Sequence, residues 1–172
     1  MKRPIRIDGD IAYVPLTKGY EAVIDVADVP LVEGFNWTAM VKARPDGSVK
    51  TVYAWRADYS GAKQRAVYLH RTIIGEPRGF EVDHRDCDGL NNRRVNLRNA
   101  TKAQNQQNRR LAKDNTSGFK GVAWRKREGK WQASISKYGK RHYLGCFGCP
   151  TAAHFAYIKA SRELHGEFGR VA

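Results

Sequence analysis

The residue types that could do chemistry lie close together in the middle of the chain. Asp83 and His84 are adjacent, and two amides, Asn96 and Asn105, follow at +13 and +22 from the carboxylate. Carboxylate and amide oxygens suit a hard cation, and an imidazole titrates near neutrality and can take a proton from water. Phosphodiester hydrolysis needs both. An Asp-His pair is also a common hydrogen-bonded surface feature, so these residues taken alone leave a chemical and a plain structural reading open.

The elements that must position them fall into three stretches, 1–60, 61–113 and 114–172. In the first, short alternating or β-branched runs at 11–14, 22–26, 37–41 and 52–55 are broken by Gly, Pro and a Pro45-Asp46-Gly47 turn signal, which predicts small antiparallel strands and a β-rich scaffold. In the second, a strand-like run at 66–70 leads through a loop with Gly75, Pro77 and Gly79 to a strand at 80–83 and a polar loop. Thr101 with Gln104 three residues on is a capping-box pattern that predicts a helix through 104–110, completing a ββα unit.

The third stretch predicts strands at 119–127, 131–136 and 141–147, with turns at 128–130 and 138–140. A helix follows, with Thr151 as its N-cap, Ala153, Ala156, Ala160 and Leu164 on one face, and Gly166 just past its end. Phe119, Phe147 and Phe155 are expected in the core between that sheet and helix. The fold class is therefore α+β: a ββα core, a β-rich N-terminal segment, and a C-terminal three-stranded antiparallel sheet with a helix.

Charge points to the partner. The 172 residues carry 31 Lys and Arg against 17 Asp and Glu, a net charge of +14 with a pI near 10.0, so a polyanion is expected. Residues 1–60 hold 8 basic and 8 acidic side chains and are neutral, whereas 61–113 hold 12 and 5 and 114–172 hold 11 and 4, +7 each. Arginine outnumbers lysine in the basic part, and its planar guanidinium grips phosphate bidentately, which favours nucleic acid over a membrane surface. No stretch approaches the roughly 18 apolar residues of a membrane span. No apolar run follows Lys2-Arg3 as a secretory signal requires, and three cysteines cannot build a disulfide framework, so a cytoplasmic, reduced protein is expected.

Leu69-His70-Arg71, Asp83-His84, Asn96-Leu97-Arg98, Ala100-Thr101 and Asn105 occur in the order and spacing of the HNH endonucleases, and the stretch 66–110 resembles the phage-type HNH homing endonucleases in particular. The resemblance implies a metal-dependent DNA endonuclease. Asp83 and Asn105 would hold one divalent ion, Mg²⁺ or Mn²⁺, His84 would be the general base, and Asn96 would pin the loop that aims it. Arg71, Arg93, Arg94, Arg98 and Arg109 would clamp the DNA backbone. Cys87, where the family often has a small or polar residue, reads as a spacer. No paired Cys-x-x-Cys motifs flank the unit, so no zinc is expected. For His70 a strand residue bonded to the loop and a phosphate or metal-shell contact stand level.

Ser117-Gly118-Phe119-Lys120-Gly121 with Trp124-Arg125, Gly129-Lys130-Trp131 and Tyr143-Leu144-Gly145 is similar to the AP2 domain over 117–168. That resemblance implies a sheet laid in the major groove of double-stranded DNA, contacted through Lys120, Arg125, Arg127, Lys130, Trp131, Arg141 and Tyr143. Ser134 and Ser136 replace a charged pair of the plant members, so their base specificity does not carry over. Cys146 and Cys149 supply two of the four ligands that tetrahedral zinc wants, and are read as strand-end residues.

The leading reading is thus a nuclease that nicks or cuts DNA, with an AP2-like reader, acting in the cytoplasm of a phage-infected bacterial host. The alternative is a non-catalytic DNA-binding regulator, against which the four intact residues Asp83, His84, Asn96 and Asn105 argue. No pattern announces a dimer interface, which favours a monomer.

Overall fold

The computed structural model describes residues 2–75 and 78–171. The chain forms two compact units, Met1–Ala100 and Thr101–Ala172. The expected loop residue Pro77 lies outside the described residues.

The first unit opens with β1 (Arg6–Asp8), β2 (Ile11–Pro15) and β3 (Glu21–Asp25), an antiparallel meander in which Ala12 pairs with Ile24 and Val14 with Ala22. A short α1 (Val29–Val32) leads into a second meander of β4 (Thr38–Ala43), β5 (Val49–Asp58) and β6 (Arg65–Tyr68). The Pro45-Asp46-Gly47 turn joins β4 to β5, closed by Arg44 N–H to the Ser48 carbonyl at 2.8 Å. Alternate apolar residues of both sheets, among them Val14, Ile24, Val52 and Val67, meet in one core with Trp37, which precedes β4. The same core takes in Leu69, Ile73, Val82 and Leu97, so residues 1–60 and the nuclease-like stretch after them share their interior.

Two expectations change here. The run 66–70 does not stay extended, because the strand stops at Tyr68 and α2 (Leu69–Ile74) begins at once. Leu69 and Ile73, four apart, bury one helical face, and that packing overrides the β-branched run Thr72-Ile73-Ile74 which disguised the helix. His70 therefore belongs to a helix, not to a strand. The second change concerns the ββ part of the ββα unit. It is not 66–70 with 80–83 but β7 (Glu81–His84) with β8 (Leu97–Ala100), paired antiparallel across the polar loop with Asp83 opposite Arg98 and His84 opposite Leu97.

The second unit begins with α3 (Lys102–Gln107). Thr101 accepts from the Gln104 N–H and the Gln104 side chain accepts from the Thr101 N–H, the reciprocal cap its sequence predicts, although the helix ends three residues sooner than expected. β9 (Val122–Arg125), β10 (Lys130–Lys137) and β11 (Lys140–Phe147) form an antiparallel sheet with β10 in the middle, backed by α4 (Pro150–His165). Val122, Ala133 and Ile135 face the Ala153, Tyr157 and Ala160 side of that helix. The N-cap is Cys149, not Thr151, because Pro150 takes the first helical position, where its missing N–H costs nothing. Phe119 and Phe147 pack on the core as expected, but Phe155 is 66% exposed on the outer side of α4.

Gly121 lets α4 lie close to the sheet. Its φ is +73°, and a Cβ there would stand 2.2 Å from the Tyr157 ring and 2.6 Å from the Ser134 carbonyl oxygen. Gly121→Ala should therefore destabilise the protein by about 2 kcal/mol or more, measured by urea or thermal unfolding.

Candidate active site and nucleic-acid interface

Residues 85–96, between β7 and β8, are too polar to be held by a hydrophobic core, so their order must come from hydrogen bonds. Asn96 makes three of them. Its Oδ1 accepts the Asp86 N–H at 3.1 Å, and its Nδ2 donates to Asp86 Oδ1 at 2.9 Å and to the Asn91 carbonyl at 2.7 Å. Asp86 also accepts from the Asp88 N–H and from Asn91 Nδ2. Burial raises its pKa, but the Asp88 N–H and the amides of Asn96 and Asn91 outweigh that and hold the carboxyl below its ordinary value. Asn96 thus links Asp86 to Asn91 within the loop.

The loop is also fastened to β3. Val23 N–H donates to the Leu90 carbonyl at 2.8 Å and Asn92 N–H to the Val23 carbonyl at 2.7 Å, a parallel bridge. Arg93 Nε binds Asp25 at 2.7 Å and its Nη2 binds Asp10 at 2.9 Å. Arg94 donates its backbone N–H to Asp25 and forks onto the buried carboxylate of Asp28, at 2.7 to 3.1 Å. Arg93 and Arg94, expected to clamp DNA, are thus engaged by carboxylates within their own unit. These aspartates were not singled out in the sequence; the signal that could have found them is the electrical neutrality of residues 1–60 beside an arginine-rich stretch.

At the end of β7, Asp83 and His84 are both buried. Asp83 Oδ2 accepts from Arg98 Nε and Nη2, each at 2.8 Å, and Arg98 is buried with it, so this arginine too is spent on an internal pair. His84 Nε2 lies 3.2 Å from Asn92 Oδ1. The imidazole packs between Tyr53, with ring centroids 6.0 Å apart, and His70, at 5.2 Å edge-on. Burial pushes the His84 pKa below its ordinary value, and the Asn92 bond and the carboxylates of Asp86, Asp83 and Asp88 only partly oppose it. Burial thus favours the neutral form of the ring, the form that can accept a proton. His70 stacks on Tyr68 at 5.4 Å, and burial first, then the charges of His84 and Arg71, push its pKa down to about 3.

Asp83, His84 and Asn96 are brought together in the first unit, with Arg71 on α2. Asn105 is on α3 of the second unit. The donors expected to hold a metal are a carboxylate and an amide oxygen, the hard set that Mg²⁺ or Mn²⁺ takes, so the residues present fit such an ion in donor type. Among the described residues no group of three or more His, Cys, Asp or Glu side chains is placed to hold a metal. Cys146 Sγ lies 3.2 Å from Glu128, and His154 stacks on Phe119 at 4.4 Å.

In the second unit the strand pleat sorts the residues expected to touch DNA. Arg125, Lys130, Arg141 and Tyr143 share the sheet face turned away from α4. Arg125 Nε donates to Gln132 and Arg141 Nε to Ser134 Oγ at 3.0 Å, so buried polar side chains of β10 seat both guanidinium groups. Tyr143 is 64% exposed and Arg127 lies in the exposed turn after β9. Trp131 is on the opposite face, packed on the helix-side core and on Trp124 at 5.0 Å. Lys120 donates to the carbonyls of Gln107 and Arg109 at 2.6 and 2.9 Å, just past α3, which orders the segment that carries Arg109.

The HNH endonuclease family model matches residues 67–107. The chain is 36% identical over 94 residues to Protein 3.8 of Escherichia phage T7, covering 55% of this chain and 77% of that relative. It is 31% identical over 157 residues to an uncharacterised HNH endonuclease of Acanthamoeba polyphaga mimivirus, covering 88% of this chain and 74% of that protein. No solved structure matches. The chain belongs to the HNH endonuclease family, which marks it as a nuclease, a hydrolase, with DNA as the implied substrate. No helix among the described residues is long and apolar enough to cross a membrane.

The loop fastening carries a stability prediction. Arg94→Ala would leave the Asp28 carboxylate, 2% exposed, without its fork of donors. The unfolding free energy should fall by about 2 kcal/mol, read from denaturant melts, while Arg71→Ala should change it little.

Proposed function

We propose that the protein is a metal-dependent endonuclease of the homing type that hydrolyses phosphodiester bonds in double-stranded DNA. The observation that carries this reading is the buried His84 at the end of β7, next to Asp83 and in contact with Asn92, with the following loop tied by Asn96. A neutral imidazole in that place takes a proton from the attacking water. Asn96 acts through the loop, keeping Asp86 and Asn91 in register so that His84 stays aimed. Asp83 and Asn105 would hold the ion, which when bound supplies Lewis-acid stabilisation of the charge that builds on the phosphate. Arg98 keeps the buried Asp83 carboxylate oriented. The products carry 5′-phosphate and 3′-hydroxyl ends.

The work divides as the sequence suggests: residues 1–60 as scaffold, 61–113 as the cutting core and 114–172 as an AP2-like reader of the major groove. Arg125, Lys130, Arg141 and Tyr143 on one sheet face, with Arg127 in the adjoining turn, supply that reader's contacts. Arg71 and Arg109 remain candidates for backbone clamps; Arg93, Arg94 and Arg98 act inside the protein. The phage relative is consistent with action in the cytoplasm of an infected bacterium.

On supercoiled plasmid with Mg²⁺ or Mn²⁺, the protein should give open-circle or linear product that EDTA abolishes. His84→Ala should abolish it too, with duplex affinity changed by no more than a few-fold; equal loss of binding and cleavage would make His84 structural. The reader is tested separately, by titrating duplex DNA at several salt concentrations. Arg141→Ala should weaken binding and reduce the salt slope by about one unit for a phosphate contact, and an unchanged slope and affinity would remove Arg141 from the interface.

A further inference from the structure

A carboxylate stands among the cations of the second unit's outer sheet face. Glu128 lies in the turn between β9 and β10, where its N–H and that of Gly129 both donate to the Arg125 carbonyl, at 3.1 and 2.9 Å, and Gly129 takes a φ of +60°. Its exposed side chain reaches past β10 to β11, where Cys146 Sγ donates to Oε2 at 3.2 Å. Cys146 is opposite Gln132, which accepts from Arg125, so the thiol is on the sheet face that carries Arg125, Lys130, Arg141 and Tyr143. The hydrogen bond of Cys146 and then burial raise the Tyr143 pKa, the charges of Cys146 and Glu128 add to that, and Arg125 opposes it, so the four side chains gather at one end of the face. Among the described residues no ion pair or second hydrogen bond engages the Glu128 carboxylate, which leaves Oε1 for a donor from outside.

A negative charge on this face opposes every phosphate that Arg125, Lys130 and Arg141 attract, so it costs DNA affinity unless it meets a donor. The major groove offers a carboxylate two such donors, the amino groups of cytosine and adenine. Adenine sets its N7 acceptor beside the amino group, against the second carboxylate oxygen, whereas cytosine has only a C–H there. The guanine paired with that cytosine presents two acceptors, O6 and N7, which suit the guanidinium and ammonium groups around Glu128. We propose that Glu128 is a base-reading residue whose carboxylate, seated by the Cys146 thiol, accepts the N4 amino group of a cytosine in the major groove of double-stranded DNA. The inference rests on the reading of this sheet face as the DNA reader and adds to its cations the residue that selects a C·G pair. Repulsion does part of the selecting, since thymine puts its O4 acceptor where cytosine has the amino group. Cys146 acts through Glu128, as a positioning residue.

The test uses the full chain in EDTA, which holds cleavage back, and a duplex pool with a randomised central segment. After selection and sequencing, the wild type should enrich a C·G pair at one position of its preferred site. Replacing that pair by T·A in the selected duplex should weaken wild-type binding by roughly 5–150-fold, the discrimination of a good base contact. Glu128→Ala should bind the two duplexes equally and keep the preferences at other positions. It should hold non-specific duplex as tightly as the wild type or tighter, since a repulsive charge has gone. Glu128→Gln keeps the shape and gains an amide donor, so the preference at that position should move toward A·T, because an amide pairs with both N6 and N7 of adenine. Cys146→Ala should blunt the preference for C·G and Cys146→Ser should restore it.

A wild type that enriches no C·G pair would overturn the proposal. So would a Glu128→Ala protein that gains affinity equally for every duplex and selects the same sequence as the wild type, because Glu128 would then only temper the charge of the face. If Glu128→Ala binds and selects like the wild type while Arg141→Ala weakens binding, the base-reading inference fails and the reader stands; if Arg141→Ala also binds and selects like the wild type, both fall together.

Discussion

Everything in the first unit that bears on chemistry depends on the attachment of a polar loop to β3. Residues 85–96 contain six Asp, Asn and Arg side chains in addition to the two arginines that tie them down, and almost nothing apolar to bury. Such a segment pays its ordering entropy only if its backbone and side-chain donors find fixed partners. The partners are the Val23 backbone on one side and the carboxylates of Asp10, Asp25 and Asp28 on the other. Burial raises the Asp25 pKa, yet Arg93 and Arg94 bring it below its ordinary value, so the fastening is charged on both sides at neutral pH. Residues 1–60 are thus an integral half of the nuclease unit's interior and the anchor of its loop.

The same arrangement explains how a chain of +14 net charge divides its arginines. In the first unit Arg93, Arg94 and Arg98 meet aspartates, so each of these charges already has a partner within the fold. In the second unit Arg125 and Arg141 rest on neutral Gln132 and Ser134, which orient a guanidinium without cancelling its charge. A phosphate met by the second kind of arginine gains a full, pre-positioned cation; the first kind would have to give up an existing pair before it could contribute.

The imidazole of His84 shows how burial serves reactivity in this fold. A surface histidine would share its charge state with the solvent and rotate freely. Within the wall of Tyr53 and His70 burial shifts the ring toward its neutral form, and the amide of Asn92 supplies the polar contact that a buried ring nitrogen needs.

Local pattern in the sequence was enough for most of the β-strands, for the reciprocal cap of α3 and for the sheet and helix of the second unit, because pleat alternation, turn residues and capping are set by neighbours a few positions apart. Asp83, His84 and Asn96 were legible as candidates as well, as a family spacing. Where long-range packing decided, local pattern failed. Tyr68 to Ile74 turns from strand to helix because Leu69 and Ile73 find a core built by residues far away, and β8 pairs with β7 across a loop that carries no strand signal of its own. Phe155 reads as core by type but falls on the outer side of α4. Which arginines are spent internally, and that Asn92 rather than another of the loop's amides meets His84, depend on partners 8 to 83 positions away in the chain. A hydrogen bond or ion pair is decided within about an ångström, and only the folded chain brings such distant residues to that precision.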